Sequence, residues 1–389
     1  MHDMLNNAQA DINLMDTWLV ENDHLVRFNL GESNVDDLLL GDVLAAAPDV
    51  QALLGLTLGN NSTWGSDRLR HAVAATYPGI AATNVLATAG VSEAIVLACL
   101  AHRAPGANFV IPTPAFHALI DVPRELGYDV RTIPLREETG FALDADAVIA
   151  AIDERTRIVL LNSPHNPTGR VYDHDAVVRI ADAAHTVGAI VIADEHYRYL
   201  PHAGDAAWLR SAAGARDNIV AFGSVGKCFG CTGLRVGWIV AHERLLGAYH
   251  QQKLLITHTI PLISDSIAAT LLERRDAFLP LTRQRILTNL ERLGQAAQRS
   301  HGAMVLYPPG AGSVAFVELP GIPDTLTFAQ ALLEATGVLA LPGESFDLPG
   351  FLRIRLGMPC EEFAVACDAI EDFLMLISGR PATTSADIA

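Results

Sequence analysis

The chain has 389 residues, 50% of them hydrophobic and 18% charged, which is enough to bury one large core or two moderate ones. A formal net charge of −17 argues against nucleic acid or an anionic membrane surface as a partner, since both require clustered Lys and Arg; solubility is reason enough for the acidity. No uncharged apolar stretch reaches the roughly 18 residues of a membrane helix, and Asp3 and Asp11 precede the first Lys or Arg, Arg27, the reverse of a signal peptide, so a cytoplasmic location is expected.

The first 25 residues lack strong periodicity and read as an arm or lead-in. From about residue 85 to 242, short apolar runs alternate with helical patterns. The runs Val85–Thr88, Asn108–Ile111, Val130–Ile133, Arg157–Leu161, Ala189–Ala193, Asn218–Gly223 and Val236–Val240 predict seven strands. Amphipathic stretches such as Ser92–His102 and His174–Val187 lie between them. Strands alternating with helices predict an α/β fold, a mostly parallel sheet covered on both faces, with ligands held on the loops beyond the strands' carboxyl ends. Leu245–Gln298 reads as long helix, and Met304–Met375 as a second, smaller α/β unit. The polar tail after Gly379 is expected to be disordered.

Five residues in the sequence are cysteines, few and odd in number, which suits a reducing compartment. Cys228 and Cys231 have the spacing of a redox or zinc pair, but no second pair lies nearby to complete four zinc ligands, so no metal is expected. Lysine is the useful oddity: Lys227 and Lys253 are the only two, and the other 25 basic residues are Arg. Arg cannot replace a lysine that must form a Schiff base, because its guanidinium stays protonated. Lys253 reads as an ordinary surface lysine. Lys227 lies in Ser224-Val225-Gly226-Lys227, after an apolar run and before Arg235. A pyridoxal 5′-phosphate (PLP) site needs a lysine for the cofactor aldehyde, small neighbours, and a hydroxyl and a guanidinium for the phosphate. Ser224 and Arg235 fit the last two roles.

Other segments at strand ends suit the same chemistry. Thr88-Ala89-Gly90-Val91-Ser92 opens a helix whose free N–H groups attract phosphate, although Ser92 is also a good helix cap. Asp194 and Tyr197 follow the run Ala189–Ala193. An acid there can pair with a pyridine nitrogen and make the ring a better electron sink, and the phenol can bond the ring's oxygen. Acids at strand ends are also common as helix caps. Glu195 and His196 read as structural.

Taken together, Ser224-x-x-Lys227 with Arg235, Asp194-x-x-Tyr197 and Asn162-Ser163-Pro164-His165-Asn166-Pro167-Thr168-Gly169 resemble the signature of class I/II aminotransferases, PLP enzymes of fold type I. The resemblance runs from about residue 28 to 375. It implies a seven-stranded large domain over 41–285 that binds PLP, a small C-terminal domain over 286–379, an N-terminal arm over 1–40 shared with the small domain, and a tail over 380–389. It implies a homodimer acting on an amino acid and a 2-oxo acid. By the same resemblance Lys227 carries the cofactor and acts as base. Gly90, Val91 and Ser92 hold the phosphate with Ser224 and Arg235, and Phe116 stacks on the ring. Asn166 bonds the ring oxygen with Tyr197, through a candidate cis bond to Pro167. Arg353 clamps the substrate carboxylate, with Arg355 a weaker rival, and Gly31 passes close to the substrate. Three positions depart from the family: Cys231 sits where an aliphatic residue is usual, Gly226 replaces the common serine before the lysine, and Asn60 stands where a tyrosine usually reaches the partner's phosphate.

Parts of the chain also resemble capreomycidine synthase and related arginine-processing PLP enzymes: Asp16-Thr17-Trp18-Leu19, Thr113-Pro114-Ala115-Phe116-His117 and Pro134-Leu135-Arg136. That resemblance implies a cyclase, lyase or oxidase acting on arginine or a hydroxylated arginine; a cationic substrate would want acids in its pocket, and Glu32 and Asp16 are candidates. A silent, non-catalytic relative would have no need of the full set Asn166, Asp194, Tyr197, Lys227 and Arg235.

Overall fold

The computed structural model describes residues 14–47, 50–204 and 208–377; the expected tail, residues 380–389, and residues 1–13 of the arm lie outside them. A helix at Leu14–Glu21 and a two-residue strand, β1 (Phe28–Asn29), come first. The seven apolar runs then form β2 (Val85–Thr88), β3 (Asn108–Thr113), β4 (Asp129–Pro134), β5 (Thr156–Asn162), β6 (Ile190–Asp194), β7 (Ile219–Ser224) and β8 (Gly237–Val240), each within two residues of expectation. They make one sheet in the order β2-β8-β7-β6-β5-β3-β4. All neighbours are parallel except β8, which runs antiparallel to both β7 and β2.

The central strands read as unbroken apolar runs because both faces are covered. Ile158 and Leu160 of β5 join Ile190 and Ile192 of β6 in one core, while Val159, Leu161, Val191 and Ala193 enter the core on the other face. Helices Val91–Ala101 and Glu243–Ile256 cover the first face, and His174–Thr186 the second. The edge strand β4 is half exposed.

The long helical stretch is three helices, Glu243–Ile256, Leu262–Glu273 and Arg275–Arg299. The first break corrects the reading of Lys253. It is fully buried, not a surface residue. Its Nζ donates to the carbonyl of His258 (2.8 Å), which sits in a left-handed turn at φ +61°, so this lysine ties the turn that follows the helix back to its last turn.

The C-terminal part holds an antiparallel sheet of β9 (Val305–Tyr307), β10 (Val314–Glu318), β12 (Leu341–Pro342) and β13 (Phe351–Arg355), ordered β12-β13-β10-β9, while β11 (Val338–Leu339) pairs in parallel with β1. That pairing, and a bond from Trp18 Nε1 to the carbonyl of Ala340 (3.0 Å), fold the N-terminal segment onto the C-terminal sheet. Residues 29–37 thereby hang over the carboxyl ends of β5, β6 and β7.

Candidate active site

A cleft of about 540 Å³ opens where β2, β6 and β7 end and the 29–37 segment crosses. Its floor follows from register. Asn162 pairs with Asp194, so β5 and β6 deliver their last residues side by side, while β7 pairs with Asp194 through Phe222 and runs two residues further to Ser224.

At one end lies an anion cradle. Gly90 has φ +80°, a conformation that glycine adopts without strain, and it starts the helix Val91–Ala101. Ser224 ends β7, and Arg235 follows in the left-handed region at φ 52°. The parts are tightly fitted: a Cβ on Gly90 would lie 3.1 Å from Arg235 Nη2. Gly90, Val91, Ser92, Ser224 and Arg235 all line the cleft, joined by Thr232, whose carbonyl accepts from Arg235 Nη1 (3.3 Å). Helix N–H groups, a hydroxyl and a guanidinium with no carboxylate partner among the described residues are a donor set for a phosphate.

Lys227 sits next to it on the short helix Gly226–Phe229. Its Nζ donates to Ser33 Oγ (2.9 Å). Burial pulls its pKa down to about 8; Glu32 opposes that shift, while Arg353, Arg235 and Arg355 add to it. Opposite are Asp194, 1% exposed, and buried Tyr197. The Tyr197 hydroxyl donates to the carbonyl of Ser33 (3.1 Å), and burial raises its pKa to about 12. Phe116 also lines the cleft. The residues present therefore fit PLP: an anion cradle, a lysine whose pKa burial lowers, and a carboxylate and phenol lining the same cleft.

Asn166 and Arg353 form a pair. Arg353 Nη1 donates to Asn166 Oδ1 (3.1 Å), and Nη2 to the carbonyl of Gly31. Asn166 N donates to Asn162 Oδ1 (2.8 Å), and the Asn166–Pro167 peptide is cis, as expected. Burial lowers the Arg353 pKa to about 10, which leaves it cationic at neutral pH, and its Nε has no hydrogen-bond partner. Gly31 is closely packed: a Cβ there would lie 2.9 Å from Leu19 Cδ2, the end of a side chain that can turn aside. Arg355 reaches the cleft wall itself, with Nε donating to the carbonyl of Asn34 (2.8 Å) and Nη2 3.7 Å from Asp36.

Some expectations divide. Glu32 lines the cleft, but Asp16 does not; it lies 3.3 Å from His117 Nε2, outside the cleft. Asn60 is exposed and does not line this chain's cleft. His196, read as structural, lines the cleft with its Nδ1 2.6 Å from Asp194 Oδ1. The sequence reading also missed Ser33, Asn34, Asp36, Asp37 and Thr232. The only signal for the first four is a polar run between Leu30 and Leu38.

The family model for aminotransferase class I and II matches residues 26–370. The chain belongs to that family. It is 31% identical to capreomycidine synthase of Streptomyces vinaceus over 366 residues, covering 92% of this chain and 93% of the relative. It is 31% identical to a probable N-succinyldiaminopimelate aminotransferase of Mycobacterium tuberculosis, covering 82% of each. Among solved structures, the PLP-dependent cyclase OrfR superposes with a TM-score of 0.85 at 25% identity, over 94% of this chain and 97% of that one. The fold is therefore fold type I, and the cofactor of the family is PLP. Among the described residues, no helix is long and apolar enough to cross a membrane.

Proposed function

We propose that this family member moves an amino group between an L-amino acid and a 2-oxo acid, using PLP held on Lys227. The observation that carries the reading is a lysine of depressed pKa, about 8, set between an anion cradle and the buried Asp194–Tyr197 pair. PLP, when bound, supplies an electron sink that makes the substrate α-proton acidic. The protein does the rest. Arg353 receives the α-carboxylate, its fork oriented by the bonds from Nη1 to Asn166 Oδ1 and from Nη2 to the Gly31 carbonyl. Lys227 Nζ, with a pKa near the working pH, would take the α-proton and give it up at a carbon other than the one it came from, as amino-group transfer requires. Asp194 favours a protonated ring, and Tyr197 and Asn166 hold the ring oxygen.

A second reading is favoured by the cleft mouth. Glu32, Asp36 and Asp37 line it. Asn34 is 7% exposed, and its Oδ1 is buried without a hydrogen-bond partner. An unpaired acceptor among carboxylates suits a side chain rich in N–H donors, such as a guanidinium. With the likeness to capreomycidine synthase, this supports an arginine-type substrate and an outcome other than transamination, namely cyclisation, elimination or oxidation. A panel of amino acids, followed by cofactor absorbance with and without a 2-oxo acid, separates the two. Strict dependence on the oxo acid supports transamination. Continued turnover without it supports the second reading, and no response to any amino acid removes both.

The active unit in this reading is a homodimer. Leu39, Leu40, Leu54 and Leu58 are exposed, as are Leu255 and Ile256, and a second copy seated on them would take these side chains out of water.

A further inference from the structure

We propose that His196 is a positioning residue: its Nδ1–H bond to Asp194 Oδ1 fixes the carboxylate so that Oδ2 alone faces the cofactor's ring nitrogen. This rests on the PLP reading and assigns a role to a side chain that neither the lysine signature nor the Asp-x-x-Tyr pattern includes. Asp194 is 1% exposed and ends β6. A carboxylate has two oxygens and rotates freely unless one is held. Oδ1 is held at 2.6 Å by His196 Nδ1. Facing an ionised carboxylate, which only accepts, Nδ1 must carry the hydrogen. Oδ2 has no hydrogen-bond partner among the described residues, and Asp194 lines the cleft.

The imidazole is itself fixed, which distinguishes it from a chance neighbour. Its ring lies against the Tyr197 ring (centroids 4.1 Å apart, 48° between planes). The Tyr197 hydroxyl is anchored on the Ser33 carbonyl, and the His196 carbonyl accepts from Cys228 Sγ (3.1 Å), one residue beyond Lys227. The orientation of Asp194 is thus tied to the elements that hold the phenol and the lysine. Preorganised supports of this kind keep a functional group within a few tenths of an ångström of its working position.

The test compares PLP with an analogue whose ring nitrogen is replaced by C–H. Binding to the apo-protein is measured by equilibrium dialysis for wild type, His196→Phe and His196→Asn. Phenylalanine keeps the ring packing and loses the donor; the asparagine amide replaces Nδ1–H. The proposal expects His196→Phe to bind PLP roughly tenfold more weakly, the worth of one bond to a charged group. It expects His196→Asn to stay within about threefold of wild type. With the analogue, wild type and His196→Phe should bind alike, because the carboxylate then has nothing to address. Unchanged PLP affinity in His196→Phe overturns the proposal, and so does a loss that persists with the analogue, which marks a merely structural residue. Circular dichroism of the apo-proteins checks folding, and His196→Ala takes the place of the Phe variant if that one does not fold. Wild type that fails to take up PLP on Lys227 sinks the cofactor reading instead.

Discussion

Lys227 Nζ donates to the hydroxyl of Ser33, 194 residues earlier in the chain, at 2.9 Å. The contact exists because β1 pairs with β11 and swings the 29–37 segment over the strand ends. Ser33 is tied down independently, its carbonyl accepting from Tyr197 (3.1 Å) and from Ser313 Oγ (2.6 Å). Its hydroxyl can therefore be removed without freeing the backbone. A bond accepted from the ammonium favours the charged form, so Ser33→Ala should lower the Lys227 pKa below its value of about 8. Apo-protein of this variant should capture PLP faster than wild type at pH 6.5 and equally fast at pH 9, read by stopped-flow absorbance. Slower capture at both would assign the hydroxyl a different task.

The same lysine gives a pH profile whose sign is fixed. The neutral amine is the nucleophile, and burial lowers the pKa from 10.5 to about 8. The rate of PLP capture should rise with pH and level off above about 8, whereas an unperturbed lysine would go on rising past 10. Glu32 is the largest influence holding the pKa up. Glu32→Gln removes that attraction, and the midpoint should move to lower pH. A midpoint that stays near 10.5 in wild type, or moves up in the variant, contradicts the electrostatics drawn here.

Much of this site is legible in the chain, for a physical reason. Covalent capture allows only lysine, and a phosphate cradle needs glycine, hydroxyl and guanidinium at fixed offsets, so in the proposed reading Lys227, Ser224, Arg235 and Gly90 declare themselves locally. The strands do so too, because burial on both faces leaves runs such as Ile190–Ala193 without polar residues. His196 and Ser33 are different. Each acts through a partner whose position depends on a turn or a chain return that no spacing encodes. Lys253 misleads for the same reason: a lysine that ties a turn back to its helix through the His258 carbonyl looks, in one dimension, like one that meets water.

The cleft mouth makes a separable prediction about substrate. The Asn34 carbonyl holds Arg355 Nε (2.8 Å), but its side-chain oxygen is unpartnered. Asn34→Leu keeps the former and removes the latter. If a guanidinium or other donor-rich side chain binds there, KM for arginine should rise roughly tenfold, the cost of one bond to a charged group. KM for an unbranched apolar amino acid should stay the same or fall. Equal changes for both substrates would place the specificity elsewhere.

The exposed leucines predict a dimer that weakens when charged. Leu255 is 81% exposed and Leu58 76%, and burying a leucine is worth about 1.5–3 kcal/mol. Leu58→Glu combined with Leu255→Glu should shift sedimentation equilibrium toward monomer by at least tenfold in Kd, while the circular dichroism of the chain is unchanged. Wild type that sediments as a monomer at all concentrations would leave these residues without the partner assigned to them.

Gly237 tests the cradle by a purely steric route. It pairs with Thr88 of β2 on one side and Ser224 of β7 on the other. A Cβ there would lie 2.8 Å from the Gly90 carbonyl carbon and 2.9 Å from the Gly223 carbonyl oxygen. Both are backbone atoms and cannot turn aside as a side chain would, so alanine must push the Gly90 turn away from the end of β7. Overpacking of this kind costs about 1–3 kcal/mol, and here it also widens the space between the helix N–H groups and Ser224. Gly237→Ala should lower the urea midpoint of the apo-protein and weaken inorganic phosphate as a competitor of PLP binding. Gly233→Ala, whose Cβ would meet nothing within 4 Å, should do neither. Because the phosphate readout involves no lysine chemistry, a Gly237→Ala protein that binds phosphate like wild type would mean the anion is held by Arg235 and Ser224, with the turn at Gly90 a bystander.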